Sequence, residues 1–438
     1  MDIAVVSILI VVAMVGLLVA GVPLAFVSGA IAVVLAITAF GPDSLFLISS
    51  RTFEFLNSYT LVAVPMFVLM ASVLERSGVA RDLYRAFHVW AGGLPGGVAV
   101  MTTVVAVILG ATTGIVGGEI VLLGIVALPQ MLRLGYDRRL AIGTICAGGS
   151  LGTMIPPSII LIFYGITVNV SIGDLFLATA VPGLLLGLLY ILYILARCRL
   201  APELGPPAAE EDRNLPLVEK LALFKGVVLP LFVAACVLGS IYAGFASITE
   251  SAAFGVAGVV LSAWLRGELT WEMIGAALKQ TLSTCGMVLW LVFGTNALIG
   301  VYNLMGGIRF AQGLFGGLAV EPMLVVLVAV GVFILLGFFI DWIGILLLTM
   351  PIFVPTIVKL GYDPVWFGVV FNMAMQVAYL TPPFGPSAFY LKSVAPPDIS
   401  LQEIFSSMWP FIALQIVGLA LVLAFPDLAL WLPRLVYG

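Results

Sequence analysis

One short stretch occurs twice in this chain. Leu134-Gly135-Tyr136-Asp137 recurs as Leu360-Gly361-Tyr362-Asp363. Nineteen residues after each Asp stands a double proline, Pro156-Pro157 and then Pro382-Pro383. Both features recur at an offset of 226 in a chain of 438 residues, so the sequence reads as two copies of one plan. A long hydrophobic stretch with an acidic residue precedes each copy, and an apolar run broken by prolines follows.

The solvent of this chain follows from its composition. It is 62% hydrophobic and 9% charged, with mean hydropathy +1.23. A soluble domain carries about 25% charged residues. Only helices and closed barrels satisfy their backbone polar groups in lipid. The apolar runs here are continuous, without the alternation of a barrel strand. The expected fold class is therefore an all-α polytopic membrane protein. In such a protein a duplicated broken helix marks a transport site. The start, Met-Asp-Ile-Ala, lacks the basic region of a cleaved signal peptide, so the first helix is read as a retained span.

Apolar runs of about 20 residues fall near 3–20, 22–40, 60–76, 138–168, 174–196, 225–243, 248–265, 275–300, 364–392 and 404–432. Two further stretches, 96–134 and 322–361, are nearly twice as long. Gly110-Ala111-Thr112-Thr113-Gly114 interrupts one, and Gly337-Phe338-Phe339-Ile340-Asp341 the other. Their short arms favour re-entrant hairpins over pairs of full spans. With the N-terminus outside, fourteen of the 18 basic residues fall in the cytoplasm, and only Arg51, Arg309, Lys359 and Arg434 outside. That is a positive-inside distribution. Two crossings per stretch would give the same sidedness, so the charges alone leave the hairpins open.

These spans divide the chain into repeats of 1–200 and 223–438, joined by a polar linker at 201–222. The linker, with its four prolines and Glu210-Glu211-Asp212, is read as a solvated cytoplasmic connector. The first repeat holds scaffold helices in 1–95, hairpin 96–134, broken helix 138–168 and helix 174–198. The second holds scaffold helices in 223–300, a surface arm at 302–318, hairpin 322–361, broken helix 364–394 and helix 400–432. Five crossings in the first repeat make the second enter with inverted topology. Both termini then lie on the periplasmic side. Residues 77–90 mix Arg81, Asp82 and Arg85 with Leu83, Phe87 and Trp90, as an amphipathic helix on the membrane surface would. An ordinary loop helix is the alternative there.

Proline removes an N–H donor and clashes with the carbonyl four residues back. Two in succession unwind a helix, and the freed carbonyls suit a hard cation such as Na⁺ where they face a cavity. A structural kink is the plainer alternative. Each hairpin also carries one carboxylate ten residues before a proline: Glu119 before Pro129, and Asp341 before Pro351. Each acid is open to three roles: cation ligand, proton carrier, or cap for the hairpin's second helix. Glu250 and Asp174 begin helices and are read as caps.

No basic residue falls at a helix break or hairpin tip. An anionic substrate would then be held by helix N-termini, hydroxyls and bound cations. ATP hydrolysis is not expected, because no P-loop pattern is present. The potassium-channel filter and the voltage-sensor arginine ladder are missing too. His88 is the sole histidine, with no catalytic partner near it in sequence. Cys146, Cys198, Cys236 and Cys285 lack metal-ligand spacing and are read as small packing residues. The chain is therefore not expected to be an enzyme.

Several motifs in order resemble the large membrane subunit of TRAP (tripartite ATP-independent periplasmic) transporters. They include Gly114 to Glu119, Leu128-Pro129-Gln130-Met131, Gly135-Tyr136-Asp137, Ala147 to Gly152 and Ile155-Pro156-Pro157-Ser158. Ser171 to Ala178, Pro182-Gly183, Gly337 to Asp341, Leu346 to Phe353 and Thr381-Pro382-Pro383 continue the likeness. The resemblance implies a Na⁺-driven secondary transporter of the elevator type in the bacterial inner membrane. It implies two partners, a small membrane (Q) subunit and a soluble periplasmic binding protein that delivers the substrate. Many members carry a Gly-Ser-Ser-Val-Ala-Asp-like tip. Here Gly114, Ile115, Val116, Gly117, Gly118 and Glu119 stand instead, and Thr112 and Thr113 would supply the missing hydroxyls. This variant tip resembles the mannitol/chloroaromatic or 2-oxoacid branch, and implies a small organic carboxylate as substrate.

On this reading two or more Na⁺ ions bind at the tips and breaks, with substrate between them. The sodium candidates are Thr112, Thr113, Gly114, Glu119, Gly152, Thr153, Pro156, Gly337, Asp341, Thr381, Pro383 and Gly385. The substrate candidates are Thr153, Pro157, Ser158, Thr381, Pro382 and Ser387. The alternative is an autonomous Na⁺/carboxylate symporter of the same inverted-repeat plan, which would need neither partner.

Overall fold

The computed structural model describes residues 2–91, 93–114, 116–208, 216–307, 309–310, 313 and 321–437. Among them the regular secondary structure is entirely helical. The first half contains α1 (Ile3–Val19), α2 (Leu24–Phe40), α3 (Leu45–Leu56), α4 (Ala63–Arg76) and α5 (Val79–His88). Then come α6 (Gly97–Thr113), α7 (Gly118–Arg133), α8 (Arg138–Ser150), α9 (Ile159–Val168) and α10 (Ile172–Leu200). The second half contains α11 (Leu217–Leu223), α12 (Lys225–Tyr242), α13 (Ile248–Leu265) and α14 (Trp271–Leu304). It continues with α15 (Pro322–Gly337), α16 (Trp342–Lys359), α17 (Pro364–Leu380), α18 (Pro386–Lys392), α19 (Leu401–Ala424) and α20 (Asp427–Tyr437). By length and composition, six stretches among the described residues can cross a membrane: 59–76, 172–200, 248–265, 271–304, 342–359 and 401–424.

The repeated tetrapeptide is a stop signal fused to a start signal. Leu134 caps the end of α7, and Gly135 turns left-handed at φ 82°. The N–H of Gly135 then bonds to the Leu132 carbonyl (3.1 Å) and that of Tyr136 to the Met131 carbonyl (3.0 Å). This is the Schellman pattern, which glycine enters without a Cβ penalty. Asp137 immediately caps α8 by accepting from the Leu140 N–H at 2.9 Å. Leu360, Gly361 (φ 86°), Tyr362 and Asp363 repeat the arrangement between α16 and α17, where Asp363 accepts from the Val365 N–H at 2.7 Å.

Both double prolines break the chain where the sequence expects. After α8 a single 3-10 turn (Leu151–Thr153) precedes the Pro156-Pro157 break, and α9 follows. After α17 the Pro382-Pro383 break leads into α18. Both Pro-Pro bonds are cis. The halves interlock reciprocally. The hairpin arm α7 packs on α18, beyond the second break, while the hairpin arm α16 packs on α9, beyond the first. α8 lies along α19, α17 lies along both α15 and α19, and the Tyr164 hydroxyl donates to the Pro364 carbonyl at 2.7 Å. α2, α3 and α4 gather around the long α14, and α13 joins α4 and α12, forming a wall beside the hairpins.

Four expectations need correction. The segment read as one helix over 400–432 is two, because Pro426 lacks an N–H and drives Phe425 to φ −128°, ψ 80°. The first part of the linker is docked, not solvated: the Gly205 carbonyl accepts from Gly96 N–H at 2.7 Å and the Leu204 carbonyl from Asp137 N–H at 2.9 Å. Ala208 is buried, whereas Glu210-Glu211-Asp212 lie outside the described residues. Asp174 is not itself the cap, since Ser171 is, accepting from the Asp174 N–H at 3.2 Å. Residues 302–304 of the expected surface arm belong to α14; most of the remainder lies outside the described residues. Glu250 does serve its cap, in a capping box with Ser247. Cys146 and Cys198 are buried, whereas Cys236 is exposed.

Candidate functional site

The turns that follow α6 and α15 come to one cavity of about 260 Å³. Gly114, Gly117 and Gly118 line it from the first turn; Asp341 and Trp342 line it from the second. Thr153 enters from the first break, and Tyr379, Pro386 and Tyr390 from around the second. The opposite side is the wall: Ser72 and Glu75 from α4, Gln280 and Thr284 from α14.

The first turn is seated by glycine. A Cβ on Gly114 (φ 68°) would lie 2.3 Å from the Pro157 carbonyl oxygen, so only glycine lets the turn touch the break. The Gly114 carbonyl accepts from the Ile159 N–H at 3.3 Å, tying the turn to the start of α9. Glu119, in the first turn of α7, is 2% exposed. Its Oε1 accepts from the Thr113 hydroxyl, and its buried Oε2 has no protein partner. A Cβ on Gly152 would lie 2.3 Å from that same Oε2, so the carboxylate fills the space the glycine leaves. A buried carboxylate oxygen without a donor is costly unless a cation or water meets it. Thr113, Glu119 and the backbone at Gly152 thus form a donor set fit for a small hard cation.

Elsewhere the threonines spend their hydroxyls internally. Thr112 donates to the Leu109 carbonyl at 2.6 Å, and Thr381 to the Val377 carbonyl at 2.6 Å. The Thr153 carbonyl accepts from the Ser158 hydroxyl (2.6 Å) and from the Asn372 amide (2.9 Å). The Thr153 hydroxyl donates to the Ser150 carbonyl at 3.2 Å and accepts from Gln376 Nε2 at 2.6 Å. At the second break Gly337 faces Ala378, and Gly385 N–H bonds to the Thr381 carbonyl at 3.0 Å. Asp341 is the N-cap residue of α16 but makes no capping bond from its side chain.

Of the expected site residues, Gly114, Thr153 and Asp341 line the cavity. Thr112, Thr113, Glu119, Gly152, Pro156, Pro157 and Ser158 gather behind it around the first tip and break, and Gly337, Thr381, Pro382, Pro383, Gly385 and Ser387 around the second. The Ser387 hydroxyl is buried and has no partner. Among the substrate candidates, only Thr153 reaches the cavity wall. Sequence reasoning missed Glu75 and Gln280, whose side chains are joined (Gln280 Nε2 to Glu75 Oε2, 3.3 Å), and the amides of Asn372 and Gln376. The last two sit four apart in a span, a spacing that places two polar groups on one face. Among the described lining residues two are carboxylates, Glu75 and Asp341, and none is basic.

Residues 11–428 match the family described as "Tripartite ATP-independent periplasmic transporter, DctM component". The chain is 30% identical, over 91% of its length and 92% of the relative's, to the C4-dicarboxylate TRAP transporter large permease protein DctM of Pseudomonas aeruginosa. It is also 30% identical to the ectoine TRAP transporter large permease protein TeaC of Halomonas elongata, over 86% of this chain and 87% of that one. Among solved structures, the YdaH transporter of Alcanivorax borkumensis superposes with a TM-score of 0.67 over 89% of each chain at 15% identity, a likeness of fold.

Proposed function

The chain belongs to the DctM family of tripartite ATP-independent periplasmic transporters, and from that premise we propose that it imports a small organic carboxylate together with Na⁺. As a large permease it is a multi-pass membrane protein, and its relatives are named as transporter permeases. The lining of the cavity carries the sodium reading: among the described residues two carboxylates face it and no basic one does. A carboxylate substrate entering there meets only like charge until cations neutralise it. Co-binding of Na⁺ turns that repulsion into obligatory coupling. Thr113, Glu119 and Gly152 at the first tip would hold one ion. Asp341, with the freed backbone between Thr381 and Gly385, would hold the other. Substrate lies between the tips, against Thr153, Tyr379 and the wall.

The reciprocal packing of hairpin arms on the far sides of the opposite breaks supports a pair of inverted-topology repeats. Arms α6, α7 and α15 have 17, 16 and 16 residues. Two of them, α7 and α15, fall below the roughly 17 residues of the shortest crossing helices, which supports re-entrant hairpins, while α16, with 18 residues, is long enough to cross. Hairpins and broken helices would then move as one elevator body past the wall of α1–α4 and α12–α14. The termini face the periplasm of a bacterial inner membrane. A small membrane subunit supports the wall, and a soluble binding protein delivers the substrate. The relatives named for C4-dicarboxylates and for ectoine both handle carboxylate-bearing solutes, and a 2-oxo acid fits the same description.

Reconstitution tests this reading. In liposomes with an inward Na⁺ gradient, the chain with its small subunit and loaded binding protein accumulates substrate; without them it is silent. Uptake of free substrate by the chain alone would establish the autonomous symporter instead.

A further inference from the structure

We propose that a second cavity, of about 600 Å³ between α5, α7 and α11, binds the phosphate headgroup of an anionic phospholipid. Arg81, Arg85 and His88 line it from one face of α5, spaced four and three apart. Gln130 reaches it from α7, its amide nitrogen 2.6 Å from His88 Nε2. Glu219 on α11 is the one acidic residue among the described lining, against two permanently charged guanidinium groups. The other acid of α5, Asp82, is engaged by Arg266 at 2.6 Å. Arg266 also holds Glu268 at 3.1 Å, which tempers the pull of Glu268 on Arg81. Arg85 pairs with no carboxylate among the described residues. Among the described residues the site therefore keeps an excess of fork-shaped positive donors over carboxylates, of the kind that take phosphate oxygens.

Its surroundings favour a lipid over a free ion. Val126 and Leu223 give the cavity an apolar side. Phe87 and Trp90 both meet Phe224 edge-on, at 5.2 and 5.8 Å between centroids. Trp90 remains 39% exposed, as an aromatic at a membrane interface does. The distribution of basic residues puts α5 on the cytoplasmic side, where anionic lipids concentrate and basic pockets between helices take their headgroups. Because α7 is an arm of the first hairpin and α5 joins it to the wall, a bound headgroup would bridge the two bodies.

Binding is tested without any transport measurement. The purified full chain in detergent is heated with short-chain phosphatidylglycerol, with short-chain phosphatidylcholine, or with inorganic phosphate. Phosphatidylglycerol alone raises the unfolding midpoint, and the Arg81→Gln/Arg85→Gln variant binds it at least about tenfold more weakly. Arg434→Gln, at the far end of the chain, responds like the unaltered protein. Equal shifts with phosphatidylcholine or with inorganic phosphate overturn the proposal, as does a double variant that responds normally. The probe series on the unaltered chain decides the matter even where the double variant fails to fold.

Discussion

Gln376 donates to the Thr153 hydroxyl at 2.6 Å, while Asn372, one turn earlier on α17, donates to the Thr153 carbonyl at 2.9 Å. Two amides of the second half thereby hold the first break at the cavity wall. All three side chains are buried, so the bonds act where water does not compete. We expect Gln376→Ala to lower stability by about 0.5–1.5 kcal/mol, the net worth of the lost bond, since the Thr153 hydroxyl keeps its bond to the Ser150 carbonyl. In a double-mutant cycle with Thr153→Val the two losses should be less than additive, by about 0.5–1.5 kcal/mol. Thermal unfolding in detergent measures both. Strict additivity would mean that the halves are not coupled through this bond.

Gly152→Ala tests the first tip. The added methyl would occupy space 2.3 Å from Glu119 Oε2, the far end of a side chain that can be pushed aside. The carboxylate must leave its place, and any cation bound there loses its ligand set. We expect Na⁺-dependent uptake in the reconstituted complex to fall at least about tenfold, the loss typical of a displaced ion-ligating group. Elution from a sizing column should stay normal. Unchanged sodium dependence would place the ion elsewhere.

Glu119→Gln separates ligand from cap. The amide keeps the shape and the bond to Thr113 but removes the charge. As a ligand position it should weaken the sodium-induced rise in unfolding midpoint about tenfold or more. If Glu119 only steadies the start of α7, the cost is about 0.3–1 kcal/mol of stability and the sodium response survives.

Where punctuation residues set local structure, the sequence was readable. Gly135 and Asp137, Pro156 and Pro157, and their copies 226 residues later act on the backbone within a turn of themselves, so breaks, tips and most spans could be placed in advance. The wall of the site was not readable. Glu75 and Gln280 lie at separate places in α4 and α14, and only tertiary packing brings them to the cavity. The docking of 201–208 depended likewise on the partner surface at Gly96 and Asp137. Pro426 was a signal within reach: it lies inside an apolar run, and the continuous hydrophobicity hid the break between α19 and α20.

The repeated motif predicts equal costs for its two copies. Asp137→Ala and Asp363→Ala each remove one side-chain cap from the start of a broken helix. Each should destabilise the chain by about 1 kcal/mol, and the double variant by about the sum, because the caps share no bonding partner. Unfolding midpoints of the three variants check this. A clearly larger loss at one site would show that its Asp does more than cap.

The last prediction concerns pH and the junction that supports α5. Glu268 accepts from the Gly78 N–H at 2.9 Å and from Arg266, which also holds Asp82 at 2.6 Å. The Arg266 guanidinium, chiefly through its hydrogen bonds, holds the Glu268 carboxyl below the usual range. A carboxyl lowered in the folded state adds stability that is complete above its unfolded pKa, about 4.3. That stability is lost as pH falls through the lower folded value. Glu268→Gln should therefore unfold at a lower temperature than the unaltered chain at pH 7. The gap should begin to narrow near the unfolded pKa, about 4.3, and close as pH falls through the lower folded value, where the native Glu268 itself becomes neutral. Both carboxylates are partly exposed, so the effect should also shrink in high salt. A gap independent of pH would assign the role of Glu268 to packing against Gly78 and not to its charge.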